Sequence, residues 1–207
     1  MSEVEKINKE TRTLAAMAYG EASAKDIPEE LGALACVLVR QCNARGYADM
    51  NQFVTSDKTF SFVVKDGNVR YKKFMEASES AIASDPGMAA ALAAAKNALS
   101  GGKDLSNGAY FWDGADIKSN YKNHFKVKHG IKFAEPVHNI YEIQESTKVV
   151  TLTKTIVKKK KGKVISSEVF EQGRYDHIYV STAAYGGTIF WKHNPVYMEV
   201  TRAKEYK

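Results

Sequence analysis

The sequence predicts an α+β fold in which a mainly helical part, residues 1–145, precedes a β-rich extension packed on it, residues 146–207. Apolar residues recur at helical spacing through the first hundred positions. From residue 147 onward, apolar and polar residues alternate instead, as they do in strands. The 207 residues are 44% hydrophobic and 26% charged, which is typical of a folded chain with a core rather than a disordered one.

The first helix is predicted at about residues 6–19, and its apolar stripe continues to an acidic residue. Leu14 and Met17 lie on the stripe, and Glu21 follows on it, seven and four residues later. Burial raises the pKa of a carboxyl group, and a raised pKa suits proton donation near neutral pH. Glu21 is therefore a candidate acid. The alternative is that Gly20 ends the helix and leaves Glu21 exposed.

Three further helices are predicted in the first half of the chain. The second begins at a capping-box pattern, Asp26-Ile-Pro-Glu29, and its wide apolar face predicts a central, buried position. The third covers about residues 71–83. The fourth begins at Asp85-Pro86, an N-cap residue followed by proline at the first helical position, and it ends at Gly101-Gly102.

The cysteines and histidines do not form a metal-binding pattern. Cys36 and Cys42 lie six residues apart on the second predicted helix, too far for a disulfide, and are predicted to pack in the core. His124 and His129 are five residues apart without cysteine neighbours, which argues against a zinc site. The sequence also contains no G-x-S-x-G elbow, phosphate-binding loop or dinucleotide fingerprint.

Two loop regions are predicted around the third and fourth helices. Residues 53–70 contain the turn signal Asp66-Gly67. Residues 103–143 are polar and rich in aromatics, and Tyr110-Phe-Trp112 is flanked there by turn residues. Two interpretations of this aromatic cluster remain open: it belongs to the core, or it is a partly exposed platform on which sugars or bases stack.

The last third of the chain predicts a hairpin followed by further strands. Strands at residues 150–156 and 164–170 flank the run Lys158-Lys-Lys-Lys-Gly-Lys163, and more strands are predicted at about 174–182 and 188–200. Lysines on a hairpin end protect it from edge-to-edge aggregation. The alternative is that the lysine run docks on an anionic polymer.

The charge and the N-terminal segment give expectations about partners and location. A formal net charge of +6 suits nucleic acid, a membrane face or an acidic cell wall without choosing among them. The first ten residues are charged and have no apolar core, so no signal peptide is expected. No segment is apolar and long enough to predict a membrane span.

Five short motifs follow one another between about residues 11 and 143. They are Tyr19-Gly-Glu-Ala22, Gly32-Ala-Leu-Ala-Cys-Val-Leu-Val-Arg40, Thr59-Phe-Ser61, Gly108-Ala-Tyr-Phe-Trp-Asp113 and Val137-His-Asn-Ile-Tyr141. In order and spacing they resemble the SleB-like family of spore cortex-lytic and cell wall hydrolases. The resemblance covers about two thirds of the 207 residues and does not extend to the strands after residue 147.

The resemblance implies a lysozyme-like catalytic domain that cleaves the β-1,4 bond between N-acetylmuramic acid and N-acetylglucosamine. The family resembles lytic transglycosylases, in which one glutamate serves as acid and then base, and Glu21 would take that role. A hydrolytic muramidase is the other form of the same reaction, and Asp57 and Asp113 are the candidates for its second carboxylate. No metal and no cofactor are implied. The implied substrate-binding residues are Ser61, Tyr110, Trp112, Asp113 and Tyr141.

The chain departs from the family pattern at three positions near these residues. Ser23 stands where arginine is usual, Thr59 where glutamine is usual and Asp113 where asparagine is usual. The implied partners are peptidoglycan glycan strands and an immunity or delivery protein, whereas nucleic acid is not expected. The protein is expected to be made in the cytoplasm and to reach the wall through a secretion machine, as an antibacterial effector does, or by lysis.

Two other functions compete with this interpretation. A non-catalytic binder of an anionic polymer, either cell wall or nucleic acid, would use the lysine run and exposed aromatics, and would not depend on Glu21. A cysteine amidase would use Cys36 or Cys42, although both are predicted on an apolar helix face without an activating neighbour.

Overall fold

The computed structural model describes residues 6–64 and 67–206, apart from the side chains of Ser61 and Phe62. The predicted Asp66-Gly67 turn therefore lies partly outside the described residues. Helices and strands both occur, so the mixed α+β class is confirmed. Among the described residues, none of the helices has the length and apolar character needed to cross a bilayer.

The first half of the chain is helical. Its α-helices are α1 (Lys9–Glu21), α2 (Pro28–Ala44), α3 (Met50–Ser56), α4 (Ser61–Val64), α5 (Val69–Glu76), α6 (Glu79–Ser84) and α7 (Pro86–Leu99). The α2 helix packs against α1 and α7, and α1 also contacts α5, which makes α1 and α2 central. Leu14, Met17, Leu34 and Leu38 are fully buried at this centre.

The start of α2 differs from the predicted capping box. Ile27 is its N-cap and makes no side-chain cap bond, and Pro28 occupies the first turn. Asp26 instead accepts a hydrogen bond of 2.5 Å from Arg70 on α5, and its backbone has a left-handed φ of 53°. The capping prediction was wrong because Asp26 is turned toward this partner from a distant part of the chain.

The third predicted helix is two helices. Ala77 is extended after α5, and the Ser78 side chain then caps α6 by accepting from the Ala81 N–H at 3.2 Å. The prediction for α7 is confirmed, since Asp85 accepts from the Met88 N–H at 3.0 Å and the helix ends before Gly101.

Four strands form a mixed sheet beside the helices. They are β1 (Phe111–Asp113), β2 (Ile131–Lys132), β5 (Tyr179–Tyr185) and β6 (Thr188–His193), in the order β1-β6-β5-β2, and only the β2–β5 pair is parallel. Between β1 and β2 lie α8 (Asp116–Ser119) and α9 (Phe125–His129). Ala183 and Phe190 pack in the helical core. The sheet combines β1 and β2, which precede residue 146, with β5 and β6, which follow it, so the predicted boundary between residues 145 and 146 divides one sheet.

A long antiparallel hairpin separates β2 from β5. It consists of β3 (Val150–Lys160) and β4 (Lys163–Tyr175), joined at Lys161 and Gly162, whose positive φ angles suit a tight hairpin turn. Both faces of the hairpin are exposed along most of its length. The C-terminal end of β4 packs on α10 (Pro195–Thr201), where Gly173 lies against Val200.

The last predicted strand, 188–200, is wrong in its second half, where α10 forms. Asn194 caps this helix by accepting from the Val196 N–H at 3.0 Å, and Pro195 follows at the first helical position. This N-cap and proline pattern is the same signal that predicts α7. This start signal, and not the apolar character of the residues after Pro195, determines the structure here.

Candidate functional site

A cleft of about 420 Å³ lies where the end of α1 meets the sheet. Glu21, the last residue of α1, lines it together with side chains from the helices, β1, α9 and β5. The lining residues are Glu21, Gln41, Arg45, Thr59, Phe60, Phe111, Trp112, Phe125, Lys126 and Tyr179. The volume falls in the usual range for small-ligand sites. Half of the lining residues are aromatic, and the other half are polar or charged.

Glu21 is half-buried, and its environment favours the protonated form. Burial raises the pKa of its carboxyl group above the usual value. The indole N–H of Trp112 donates to Oε2 at 3.3 Å and acts in the opposite direction, but the net change remains upward. A carboxylic acid at this position can give a proton to a bound ligand and take one back.

The end of α1 is held by its close approach to the segment after α4. A Cβ atom on Gly20 would lie 3.2 Å from Asn68, Tyr71 and Val63, so glycine permits this approach. The Asn68 side-chain amide donates to the Gly20 carbonyl oxygen at 2.9 Å. These contacts fix the backbone immediately before Glu21.

Glu30 fixes the backbone immediately after Glu21. This fully buried carboxylate accepts from the Ser23 N–H at 3.2 Å and the Ser23 hydroxyl at 2.6 Å. It also accepts from the Gly187 N–H at 3.1 Å and the Thr188 hydroxyl at 2.7 Å. Glu30 therefore ties the end of α1 to the β5–β6 turn, and we call these four bonds the Glu30 clamp.

Asp57 lies behind one wall of the cleft and is fully engaged there. It accepts from Arg45 Nη1 at 2.5 Å and from the Thr59 hydroxyl. Burial alone would raise the pKa of Asp57, but the hydrogen bonds from Thr59 and Arg45 lower it below its usual value. Asp57 is thus an ionised partner of Arg45, which itself faces the cleft.

Asp113 lies behind the wall formed by α9. Its Oδ1 accepts from Lys126 Nζ at 2.8 Å and lies 3.3 Å from His124 Nε2. The hydrogen bond with Asp113 raises the pKa of His124. The same His124 nitrogen lies 3.3 Å from Asp116 Oδ2, so two acids and two bases form one ion-pair network.

Asp113, Asp116 and His124 also have the composition of a metal site, since one ligand atom from each lies within 4.8 Å of the others. Lys126 already places an ammonium group 2.8 Å from the Asp113 carboxylate, where it would repel a metal cation. The donor set therefore fits a charge-balanced ion-pair network better than a metal centre.

The structure separates the residues that the sequence grouped around Glu21. Trp112 lies in the cleft and contacts Glu21 directly, and Asp113 lies behind it on Lys126. Tyr110 instead packs against Arg40, whose Cζ atom lies 5.6 Å from the centre of the Tyr110 ring. Both residues line a separate cavity beside Cys36. Tyr141 donates through its hydroxyl to the Gly187 oxygen at 2.5 Å, next to the Glu30 clamp. The Ser61 side chain lies outside the described residues.

Several lining residues were not singled out from the sequence as site residues. Phe111 lies between Tyr110 and Trp112 in the aromatic cluster, so a local sequence signal for its place in the cleft exists. Lys126 and Tyr179 come from α9 and β5, far from Glu21 along the chain. Only the pairing of β5 with β6, and of β6 with β1, brings Tyr179 to the cleft, and no local pattern predicts that order.

Comparisons of this chain with protein-family models, with curated proteins and with solved structures found no match.

Proposed function

We propose that this protein is a lysozyme-like peptidoglycan glycosidase that cleaves the β-1,4 bond between N-acetylmuramic acid and N-acetylglucosamine. The observation that carries the proposal is the half-buried Glu21 carboxyl group, with its raised pKa, in a cleft lined by aromatic residues. The resemblance of Tyr19-Gly-Glu-Ala22 and the motifs after it to a cell wall hydrolase family supports the same assignment.

The wall of the cleft suits a sugar polymer. Trp112, Phe111 and Phe125 offer flat apolar surfaces on which the faces of sugar rings can pack, while Thr59 offers a polar group for hydroxyl or acetamido substituents. Phe125 is 62% exposed, so part of this surface is open to a long ligand.

Glu21 serves as the acid and then as the base in the proposed reaction. Its proton passes to the glycosidic oxygen as the bond from that oxygen to the muramic acid C1 breaks. The resulting Glu21 carboxylate takes the proton of the muramic acid 6-hydroxyl, whose oxygen bonds to C1. The products are a 1,6-anhydromuramic end and a free 4-hydroxyl on N-acetylglucosamine, so no atoms beyond the substrate are required.

The engagement of the other carboxylates favours this single-acid route. Asp57 is held by Arg45 and Thr59, and Asp113 by Lys126 and His124. Hydrolysis with water as nucleophile would need one of these acids to act beside Glu21. The two routes leave different ends, because hydrolysis leaves a reducing end on muramic acid.

Mass spectrometry of purified peptidoglycan digested by the protein tests this proposal. We expect anhydromuramic ends from the wild type and their release to be roughly 10²- to 10⁴-fold slower from Glu21→Gln, with Glu29→Gln as a control at an exposed acid. Reducing ends would assign the hydrolytic route instead. Intact glycan after digestion with a folded wild-type protein would refute the glycosidase.

A second candidate function, binding of an anionic polymer without catalysis, is favoured by the exposed hairpin. Lys158, Lys159, Lys160, Lys161 and Lys163 crowd its exposed end. A pure binder predicts salt-sensitive binding to sacculi or nucleic acid that is equal in wild type and Glu21→Gln. A cysteine amidase has less support, because burial raises the pKa of both the Cys36 and the Cys42 thiol and so disfavours a reactive thiolate.

A further inference from the structure

Lys126 places a positive charge on the wall of the Glu21 cleft. Its side chain is 13% exposed, and Nζ lies 2.8 Å from Asp113 Oδ1 and 3.4 Å from the Trp112 carbonyl oxygen. An ammonium group has three N–H donors, and these two contacts use two of them. The third N–H makes no hydrogen bond to a described residue, and Nζ lies 5.8 Å and 5.6 Å from the ring centres of Phe111 and Tyr179, which also line the cleft.

Lys126 and Glu21 contact opposite ends of the same residue. The Trp112 main-chain oxygen accepts from Lys126, and the Trp112 indole donates to Glu21. Because Lys126 and Glu21 both contact Trp112 and both line this cleft, one ligand bound there can contact the two residues together.

Besides Glu21, the charged residues that line the cleft are two cations, Lys126 and Arg45, and their acid partners Asp113 and Asp57 are not among the lining residues. Glu21 carries no negative charge while it holds its proton. Asp113 and Asp116 together balance Lys126 and a protonated His124, so Lys126 supplies a local positive charge at the cleft wall rather than a net one. Arg45 adds a second cation to the lining and is balanced by Asp57. A partly desolvated site strengthens the attraction of such cations for a carboxylate.

We propose that Lys126 forms a carboxylate subsite in the cleft, and that its ligand is the free lactyl carboxylate of muramic acid in glycan strands without stem peptides. This inference rests on the proposed function, because it names the substrate class of the same cleft. The lactyl group is carried by the sugar ring whose C1 reacts, which agrees with the presence of Lys126 and Glu21 in the same cleft. When a stem peptide is attached, this carboxylate becomes a neutral amide.

The test uses one preparation of glycan strands in three forms: with stem peptides, with free lactyl carboxylates, and with those carboxylates converted to methylamides. For the wild type, we expect kcat/KM to be roughly 10- to 100-fold higher on the free carboxylates than on the methylamides, as a charge-assisted hydrogen bond would give. Lys126→Gln should lose this factor on the free carboxylates and lose nothing on the methylamides.

Three further variants separate charge recognition from structural damage. Lys126→Arg should keep a preference for free carboxylates, because it keeps the charge. Lys128→Gln, at an exposed lysine of the same helix, should behave as wild type. Lys126→Gln could unfold the protein because Asp113 loses its partner. In that case, the double variant Lys126→Gln and Asp113→Asn removes both charges of the pair. The comparison of the three substrates with the wild type also tests the subsite without any variant.

Two outcomes with an active enzyme would overturn the subsite. One is an equal loss by Lys126→Gln on free and amidated strands, which would make Lys126 structural. The other is a preference for strands with stem peptides that depends on Lys126, which would assign it to a peptide carboxylate.

Binding of the same strands by Glu21→Gln, measured calorimetrically, separates this inference from the proposed function. Binding to free carboxylates that depends on Lys126, without cleavage by the wild type, would support the subsite and refute the glycosidase. Equal kcat/KM on strands with free lactyl carboxylates and on strands with methylamides would support the glycosidase and refute the subsite. Absence of both binding and cleavage would refute both.

Discussion

The protonation of Glu21 depends on one neighbouring side chain that can be changed without removing an aromatic ring. The Trp112 indole N–H lowers the pKa of Glu21 against the larger upward effect of burial. Trp112→Phe should therefore raise this pKa further. Because the acid acts only while protonated, activity falls as pH rises through its pKa, and the falling limb should move to higher pH in the variant. A pH profile of kcat/KM measures this.

The reverse shift, or an unchanged limb in an otherwise active Trp112→Phe enzyme, would contradict the role of Trp112. A matched control is Phe111→Leu, which alters the aromatic wall and removes no donor to Glu21. Its limb should remain at the wild-type pH.

The raised pKa of Glu21 also predicts how the folding stability changes with pH. Between the usual value of 4.5 and the raised folded-state pKa, the unfolded chain has lost a proton that the folded chain keeps. Folding stability therefore falls as pH rises through this window. Glu21→Gln removes the effect, so it should be more stable than wild type at neutral pH and equally stable below about pH 4. Thermal unfolding across pH 3.5–8 measures the difference, and a less stable variant at neutral pH would contradict it.

At the scale of elements, the Glu30 clamp connects α1 to the β5–β6 turn. Glu30→Gln replaces a buried carboxylate, which accepts four hydrogen bonds, with an amide. The two N–H donors of the amide nitrogen would then face groups that are themselves donors. We expect a loss of about 2–4 kcal/mol of unfolding free energy and reduced activity. Denaturant unfolding measures the loss, with the exposed Glu29→Gln as a matched control. A loss no greater than that of the control would mean that the clamp is not needed.

The hairpin makes a separate prediction at the same scale. Changing the five lysines at its end to glutamine should weaken binding to whole sacculi at low salt and leave cleavage of short soluble glycans unchanged. Exposed charges are screened over about 10 Å at 0.1 M salt, so the difference should fade as salt rises. Changing five lysines that are exposed elsewhere, Lys6, Lys9, Lys25, Lys72 and Lys122, to glutamine is the control for net charge. Equal sacculus binding by wild type and the hairpin variant would leave the lysines as a solvated turn.

The elements differ in how far the sequence predicts them. The spacing of apolar residues predicts α1, α2, α7 and the hairpin, because each has a long periodic pattern or a clear start signal. The α5–α6 break was missed because Ala77 and Ser78 fit a helix as residue types, and only the capping bond of Ser78 separates the two helices. The predicted strand 188–200 is too long because Asn194 and Pro195 start a helix, although the residues that follow are partly apolar as in a strand.

At the scale of the whole molecule, the cleft exists because two distant parts of the chain share one sheet. The sequence identifies Glu21 and Trp112, since the helical stripe and the turn-flanked aromatic cluster are local patterns. It does not place Lys126 or Tyr179 beside them, because their positions depend on strand order and on the packing of α9. Tyr110 and Tyr141 were grouped with Glu21 on motif order alone, and their observed partners, Arg40 and Gly187, come from α2 and the β5–β6 turn.

The central claim is that Glu21 is the acid of a glycan-cleaving enzyme, and one rate comparison tests it most directly. Release of muropeptide ends from purified peptidoglycan should be 10²–10⁴-fold slower for Glu21→Gln than for wild type, since general acid catalysis contributes typically that factor. Circular dichroism should show both proteins folded, and sacculus binding should be the same for both. Near-wild-type release by folded Glu21→Gln would contradict the claim.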